Sequence, residues 1–175
     1  YEQAPLVQAR NNTIRIQHPD IEGSPKTYMG NTIASGGTAL TVRDNAGLAQ
    51  NDYILVGNFG DEQAEIVRIN AAVTAGTALT VTATTFAHPI DTPVTKILWN
   101  RIEIVGNSTN TTTGATSIVT TAILPDEPYT EYVNTGTTYA YYFARYNNQQ
   151  TSTNSSYSDG VAQPGVESQN HILLL

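Results

Sequence analysis

The sequence has no cysteine, which removes disulfide frameworks and thiolate metal sites and fits folding in a reducing compartment. Charge is sparse as well. Asp, Glu, Lys and Arg make up 13% of the 175 residues, and 15 acidic residues against 8 basic ones leave a net charge of −7. Only Arg10, Arg15 and Lys26 lie near one another, so no basic stripe is available to neutralise a phosphate backbone, and nucleic acid is not an expected partner. No apolar run approaches the length of a bilayer span, and "HILLL" at 171–175 is far too short, so no membrane crossing is expected. No signal-peptide pattern is visible, although a chain opening at Tyr1 without methionine leaves room for a preceding segment.

Chemistry-bearing patterns are equally thin. The three histidines, His18, His88 and His171, fall in separate segments and at no metal-ligand spacing. There is no Walker loop, dinucleotide fingerprint or nucleophile elbow. Asp61, Glu62 and Glu65 form the densest acidic group, which reads as a hairpin turn beside Gly60 rather than a cation site. His88 in "FAHPI" reads as a loop histidine capping a turn. We therefore expect no catalytic, cofactor-binding or metal residues, and no enzyme activity.

What is abundant is Thr, Asn, Gly and Ser, interleaved with Val, Ile and Tyr, while helix formers are few. Thr, Val, Ile and Tyr suit pleated surfaces, and Asn and Gly suit turns, so the composition predicts an all-β chain. Residues 1–29 carry prolines at 5, 19 and 25 and one short alternating stretch, "TIRIQ", and read as an extended N-terminal arm. Residues 30–97 hold short strand patterns at regular spacing, which predict a small β-barrel or curled sheet. "YILVGNF" is continuously apolar, as in a strand buried on both faces. In "EQAEIVRI" the apolar positions change phase between Ile66 and Val67, which predicts a bulge. "GTALTV" occurs twice, ending at Val42 and at Val81. Two copies are too few for a solenoid, so the repeat reads as one turn-and-strand device used twice, each copy delivering Leu and Val to a core.

Residues 98–165 contain the strand patterns "NRIEIVGN", "SIVTTAIL", "YAYYFARYNN" and "VAQ", and 166–175 form a C-terminal tail. In "YAYYFARYNN", Tyr139, Tyr141 and Phe143 share one face and Tyr142 and Tyr146 the other. This strand, followed by "SSYSDGV" at 155–161, resembles the last two strands of fibronectin type III domains. The resemblance implies a fibronectin III-like, Ig-like sandwich with Tyr139, Tyr141 and Phe143 in its core. Only some 68 residues are available for it, so the resemblance implies a truncated sandwich that lacks its first two strands, with the open sheet covered by the preceding domain or another subunit.

The whole layout, through "NDYILVGNFGDEQAEIVRI", "GTALTVTATTFAHPIDTPV" and "YYFARYNNQQTSTNSSYSD", resembles tailed-bacteriophage virion structural proteins. That implies a non-enzymatic viral protein of the particle, a capsid decoration or cement protein or a neck or tail surface component, assembled in the cytoplasm of a host bacterium. Its expected partners are major capsid or neck and tail proteins and copies of itself, as a homo-oligomer. The expected contact residues are Tyr142 and Tyr146 on the outward face, Leu6 and Val7 in the arm, and Ile172, Leu173, Leu174 and Leu175 in the tail. A second reading makes Tyr142 and Tyr146 a stacking platform for host-surface glycans.

Overall fold

The computed structural model describes residues 4–21 and 23–162. Among these the chain is all β, with fourteen strands in antiparallel sheets, no helix, and no sheet closed into a barrel. No helix is therefore long and apolar enough to cross a membrane. The chain divides into two compact units that are not consecutive in sequence. One gathers the chain up to Pro19, Arg101–Ile123 and the chain from Tyr129 onward; the other is Asp20–Asn100 with Leu124–Pro128.

In the first unit, β1 (Val7–Arg10), β2 (Thr13–Ile16) and β11 (Thr130–Val133) form a three-stranded sheet in that order. The β1–β2 turn is made by Asn11 and Asn12, both at positive φ, a conformation Asn tolerates better than most side chains. A second sheet runs in the order β10 (Thr116–Ala122), β9 (Arg101–Asn107), β12 (Tyr141–Asn148) and β13 (Thr153–Asn154), with β14 (Val161–Ala162) also on β12. Alternation sends Ile14, Ile16, Ile102, Ile104, Tyr142, Ala144 and Tyr146 into full burial.

This arrangement corrects two expectations. The stretch 1–29 is not an arm: residues 7–16 are a hairpin whose second strand pairs with β11, in register from Thr13↔Val133 to Ile16↔Thr130. The sheet beside β11 is thus supplied by residues 7–16, which precede the second unit in the sequence, and not by the preceding domain or another subunit. A hairpin of two four-residue strands is marginal alone, and burying Ile14 and Ile16 is what holds it.

The second unit has a four-stranded sheet, β3 (Lys26–Tyr28), β8 (Pro93–Ile97), β5 (Tyr53–Val56) and β6 (Glu65–Arg68), and a two-stranded one, β4 (Ala39–Leu40) with β7 (Leu79–Thr80). β5 lies between β8 and β6 and is buried at all four positions, as its apolar run predicts. The two "GTALTV" copies pair with each other: Leu40 is the direct partner of Leu79, and both are fully buried.

The duplication extends well past that motif. Met29 exchanges backbone hydrogen bonds with Asp91 and Thr92, and Ile69 does the same with Asn51 and Asp52, all between 2.7 and 2.9 Å. Asn51 and Asp91 take matching positive φ values of 74° and 71°. Asn45 ties down the Thr74–Thr77 turn by donating its side-chain amide to both carbonyls, and the Thr84 hydroxyl donates to the Ala34 carbonyl at the matching turn. β3–β4–β5 and β6–β7–β8 are therefore two interleaved copies of one plan. They share a core of Met29, Ile33, Leu40, Ile54, Val67, Ile69, Leu79 and Val81.

β6 carries no bulge: its register with β5 is unbroken from Tyr53↔Arg68 to Val56↔Glu65. The buried phase is odd-numbered, with Glu65, Val67 and Ile69 inside and Ile66 half-exposed. The apparent change of phase in the sequence arises because the first inward residue is a carboxylate.

Candidate interaction surface

Every residue singled out for contact can be placed except Ile172, Leu173, Leu174 and Leu175, which lie outside the described residues. Tyr142 and Tyr146 are not on an outward face; their relative exposures are 0% and 1%. The physical reason is the β1–β2–β11 sheet, which residues 7–16 build with 130–133 and which covers the face these tyrosines share with Ile102 and Ile104. The Tyr142 hydroxyl accepts from the Tyr139 N–H (3.1 Å) and the Asn134 amide (3.2 Å) and donates to the Asn12 side chain (3.3 Å). Its ring meets Tyr139 edge-on at 6.2 Å. Tyr139 in turn packs where a side chain at Gly106 would stand, since a Cβ there would sit 2.4 Å from the ring. A tyrosine hydroxyl bonded back to upstream backbone at a strand corner is a recurring lock in β-sandwiches.

The Tyr146 hydroxyl donates to the Gln17 carbonyl at 2.6 Å, and burial raises its pKa above the ordinary tyrosine value. Both tyrosines therefore bind the start of the chain to β12. Phe143, on the opposite face of β12, is also buried, against Gly160. Beyond β13, the hydroxyls of Ser155 and Ser158 accept the N–H groups of Tyr146 and Ala144, while their own N–H groups donate to the carbonyls of the same residues. The serines stand in for a strand partner where the chain leaves regular pairing.

Three surfaces remain as candidates. On the outward face of the five-stranded sheet, the Glu103 carboxylate takes the Arg145 guanidinium at 2.8 Å and the Tyr157 hydroxyl at 2.9 Å. Arg145 also lies 4.4 Å over the Tyr157 ring, and burial followed by Glu103 raises the Tyr157 pKa. These groups satisfy one another. In the second unit, the buried Glu65 carboxylate accepts the N–H groups of Thr85 (2.8 Å) and Phe86 (2.9 Å) and bonds His88 Nε2 at 2.8 Å. His88 is not a turn cap: it is buried, exchanges backbone hydrogen bonds with Ile33 in an isolated antiparallel bridge, and Glu65 does the capping. Among the described residues no three His, Cys, Asp or Glu gather as a metal site would require.

The third surface is the outward face of β1–β2–β11. Leu6 is 65% exposed and Val133 54%, whereas Val7 points with Ala9 toward the core side and is half-buried. Arg15 sits at the centre, 3.3 Å from Glu131 and 4.8 Å over the Tyr129 ring. It separates two clefts. One of about 440 Å³ is lined by Leu6, Gln17 and Tyr129, and one of about 380 Å³ by Arg10, Asn11 and Glu131. An exposed leucine, a stacked arginine and an aromatic ring around shallow clefts make a surface able to hold a partner by shape and apolar contact.

No protein-family model, curated protein or solved structure matches the chain.

Proposed function

We propose that this chain is a non-enzymatic structural protein of a tailed-bacteriophage particle, a capsid decoration or cement protein or a neck or tail surface component. It binds neighbouring subunits by the outward face of β1–β2–β11. The sequence stretches that resemble such proteins support this reading. So does the strand order of the first unit, with two strands from residues 7–16 and one from residues 130–133 in one sheet and β9 and β12 in the other, which suits a fibronectin III-like sandwich completed by residues 7–16. The observation that carries the contact role is the exposed Leu6–Arg15–Tyr129 surface, apolar and cationic in an acidic chain. Burial of Tyr142 and Tyr146 leaves the glycan-platform reading without its stacking residues.

Quantitative mass spectrometry of purified particles tests this. Incorporation at about six, twelve or a few tens of copies is expected for a neck or tail component, and hundreds for a coat, as multivalent attachment requires. A combined Leu6→Asp, Arg15→Ala variant should fold and fail to incorporate. Absence of the wild-type chain from particles would overturn the proposal.

A further inference from the structure

All but one of the eight basic side chains have partners within the chain. Arg15, Arg43, Lys96 and Arg145 pair with Glu131, Asp91, Asp52 and Glu103. Arg68 and Arg101 donate to the side-chain oxygens of Asn51 and Asn147, and Lys26 lies over the Tyr28 ring at 5.6 Å. Arg10 is the exception among the described residues: it is exposed, with no ion pair, side-chain hydrogen bond or ring contact. It stands on the outward face of β1–β2–β11. Leu6, Gln8 and Arg10 share that side by alternation, all three exposed, with Arg10 opposite Thr13 and Gln8 opposite Arg15. The two arginines are therefore diagonal neighbours on one sheet face, with Cβ atoms about 7–8 Å apart. Both line the cleft of about 380 Å³ together with Glu131, and Gln8, Asn11 and Thr13 add hydrogen-bonding groups to its walls. Two guanidiniums against one carboxylate leave this face cationic in a chain of net charge −7.

We infer that the partner of this face is an acidic segment of another protein, whose carboxylate pairs with Arg10. The inference rests on the contact role proposed above and names the chemistry that role demands. Any partner laid over the face strips water from Arg10, and a guanidinium desolvated without a counter-charge is strongly unfavourable. Glu131 is already engaged by Arg15 at 3.3 Å, so the anion must come from the partner. A carboxylate suits the place. It takes two parallel N–H bonds from a guanidinium, and the amides of Gln8 and Asn11 can donate to its remaining lone pairs. Leu6 precedes Arg10 by four steps of extended chain, roughly 13 Å. The matching segment therefore carries an apolar side chain and a carboxylate at that spacing, as an extended Leu-x-x-x-Glu does. The overall negative charge does not forbid this, because at physiological salt charges more than about 8 Å apart are largely screened and the local arginines govern. Elsewhere the acidic surplus repels such a partner, which orients it toward this face.

Amide NMR titration of the isotopically labelled full chain tests this, since it reads weak binding and locates it. The probes are two peptides capped at both ends, Leu-Ser-Thr-Ser-Glu and Leu-Ser-Thr-Ser-Gln. The glutamate peptide should shift amides of β1 and β2 and bind about tenfold more tightly than its glutamine counterpart at low salt. That preference should shrink as salt is raised. Arg10→Gln should abolish it, Arg10→Lys should keep most of it, and Lys26→Gln in the second unit should leave it unchanged. Circular dichroism verifies the fold of each variant. Equal binding of the two peptides, binding of neither, shifts confined to other strands, or a preference that survives Arg10→Gln would overturn the inference. So would tighter binding of a thymidine oligonucleotide than of the glutamate peptide, which would make the anion a phosphate. Absence of the chain from particles is read separately and bears on the proposed function, not on the peptide preference.

Discussion

Tyr146→Phe tests the architecture at its least expected contact, the bond from the middle of β12 to the Gln17 carbonyl. Removing the hydroxyl deletes one buried 2.6 Å hydrogen bond while the ring stays in place, so the first unit should lose about 1 kcal/mol at pH 8. The same hydroxyl makes the wild-type unit sensitive to alkali. Its pKa is raised in the folded state from the ordinary 10.0, because burial disfavours the phenolate. A group whose pKa is higher when folded contributes stability that is fully present below pH 10 and is lost as pH rises further. The unfolded chain releases the proton first, and the loss is about 1.4 kcal/mol per pH unit. The variant lacks this slope, so the stability gap seen at pH 8 should close by about pH 11. Denaturant titrations at pH 8, 10 and 11, followed by tyrosine near-ultraviolet circular dichroism, measure it. Trp99, the single tryptophan, lies in the other unit and serves as an internal control. A gap that stays constant from pH 8 to pH 11 would refute the assignment of Tyr146 to a buried, proton-holding site.

Glu65→Gln should destabilise the second unit by roughly 1–3 kcal/mol despite being isosteric, because one amide oxygen cannot serve three donors and the NH₂ group faces another N–H. Thermal unfolding followed by Trp99 fluorescence checks this. Leu79→Ala should cost about 2–5 kcal/mol. The Leu40→Ala, Leu79→Ala double variant should cost less than the sum, since the two side chains share one site; strict additivity in denaturant melts would argue against their pairing. Deleting residues 1–19 should abolish the near-ultraviolet tyrosine signal of the first unit while leaving Trp99 fluorescence native. A native tyrosine spectrum from that truncation would return the segment to the status of an arm.

Much of the strand content was legible from alternation and apolar runs. β2, β5, β9 and β12 fall within "TIRIQ", "YILVGNF", "NRIEIVGN" and "YAYYFARYNN", each shorter than its stretch, and the repeated "GTALTV" does serve the core. What alternation cannot give is which distant strand covers which face. Tyr142 and Tyr146 read as outward-facing because both faces of β12 carry bulky apolar side chains, and the sheet that decides between them includes residues 7–16. Glu65 misled for a related reason. A carboxylate reads as solvent-facing until the N–H groups of Thr85 and Phe86 and the ring of His88, some twenty residues on, are seen to surround it. Pairing of the two repeat copies could have been anticipated, since identical short strands flanked by matching turns are natural partners.

The threading of the chain also sets an order of events during synthesis. Ile16 emerges from the ribosome long before Thr130, its partner across β2 and β11, with the whole of Asp20–Asn100 made in between. At roughly 5–20 residues per second that interval is on the order of ten seconds. The inserted unit has its own core and can close first, while the earliest hairpin waits with Ile14 and Ile16 uncovered. Late closure over a long loop is slow and exposes sticky surface. The newborn chain is therefore most vulnerable to misassociation at the hairpin of residues 7–16, and that vulnerability ends only when β11 and β12 arrive.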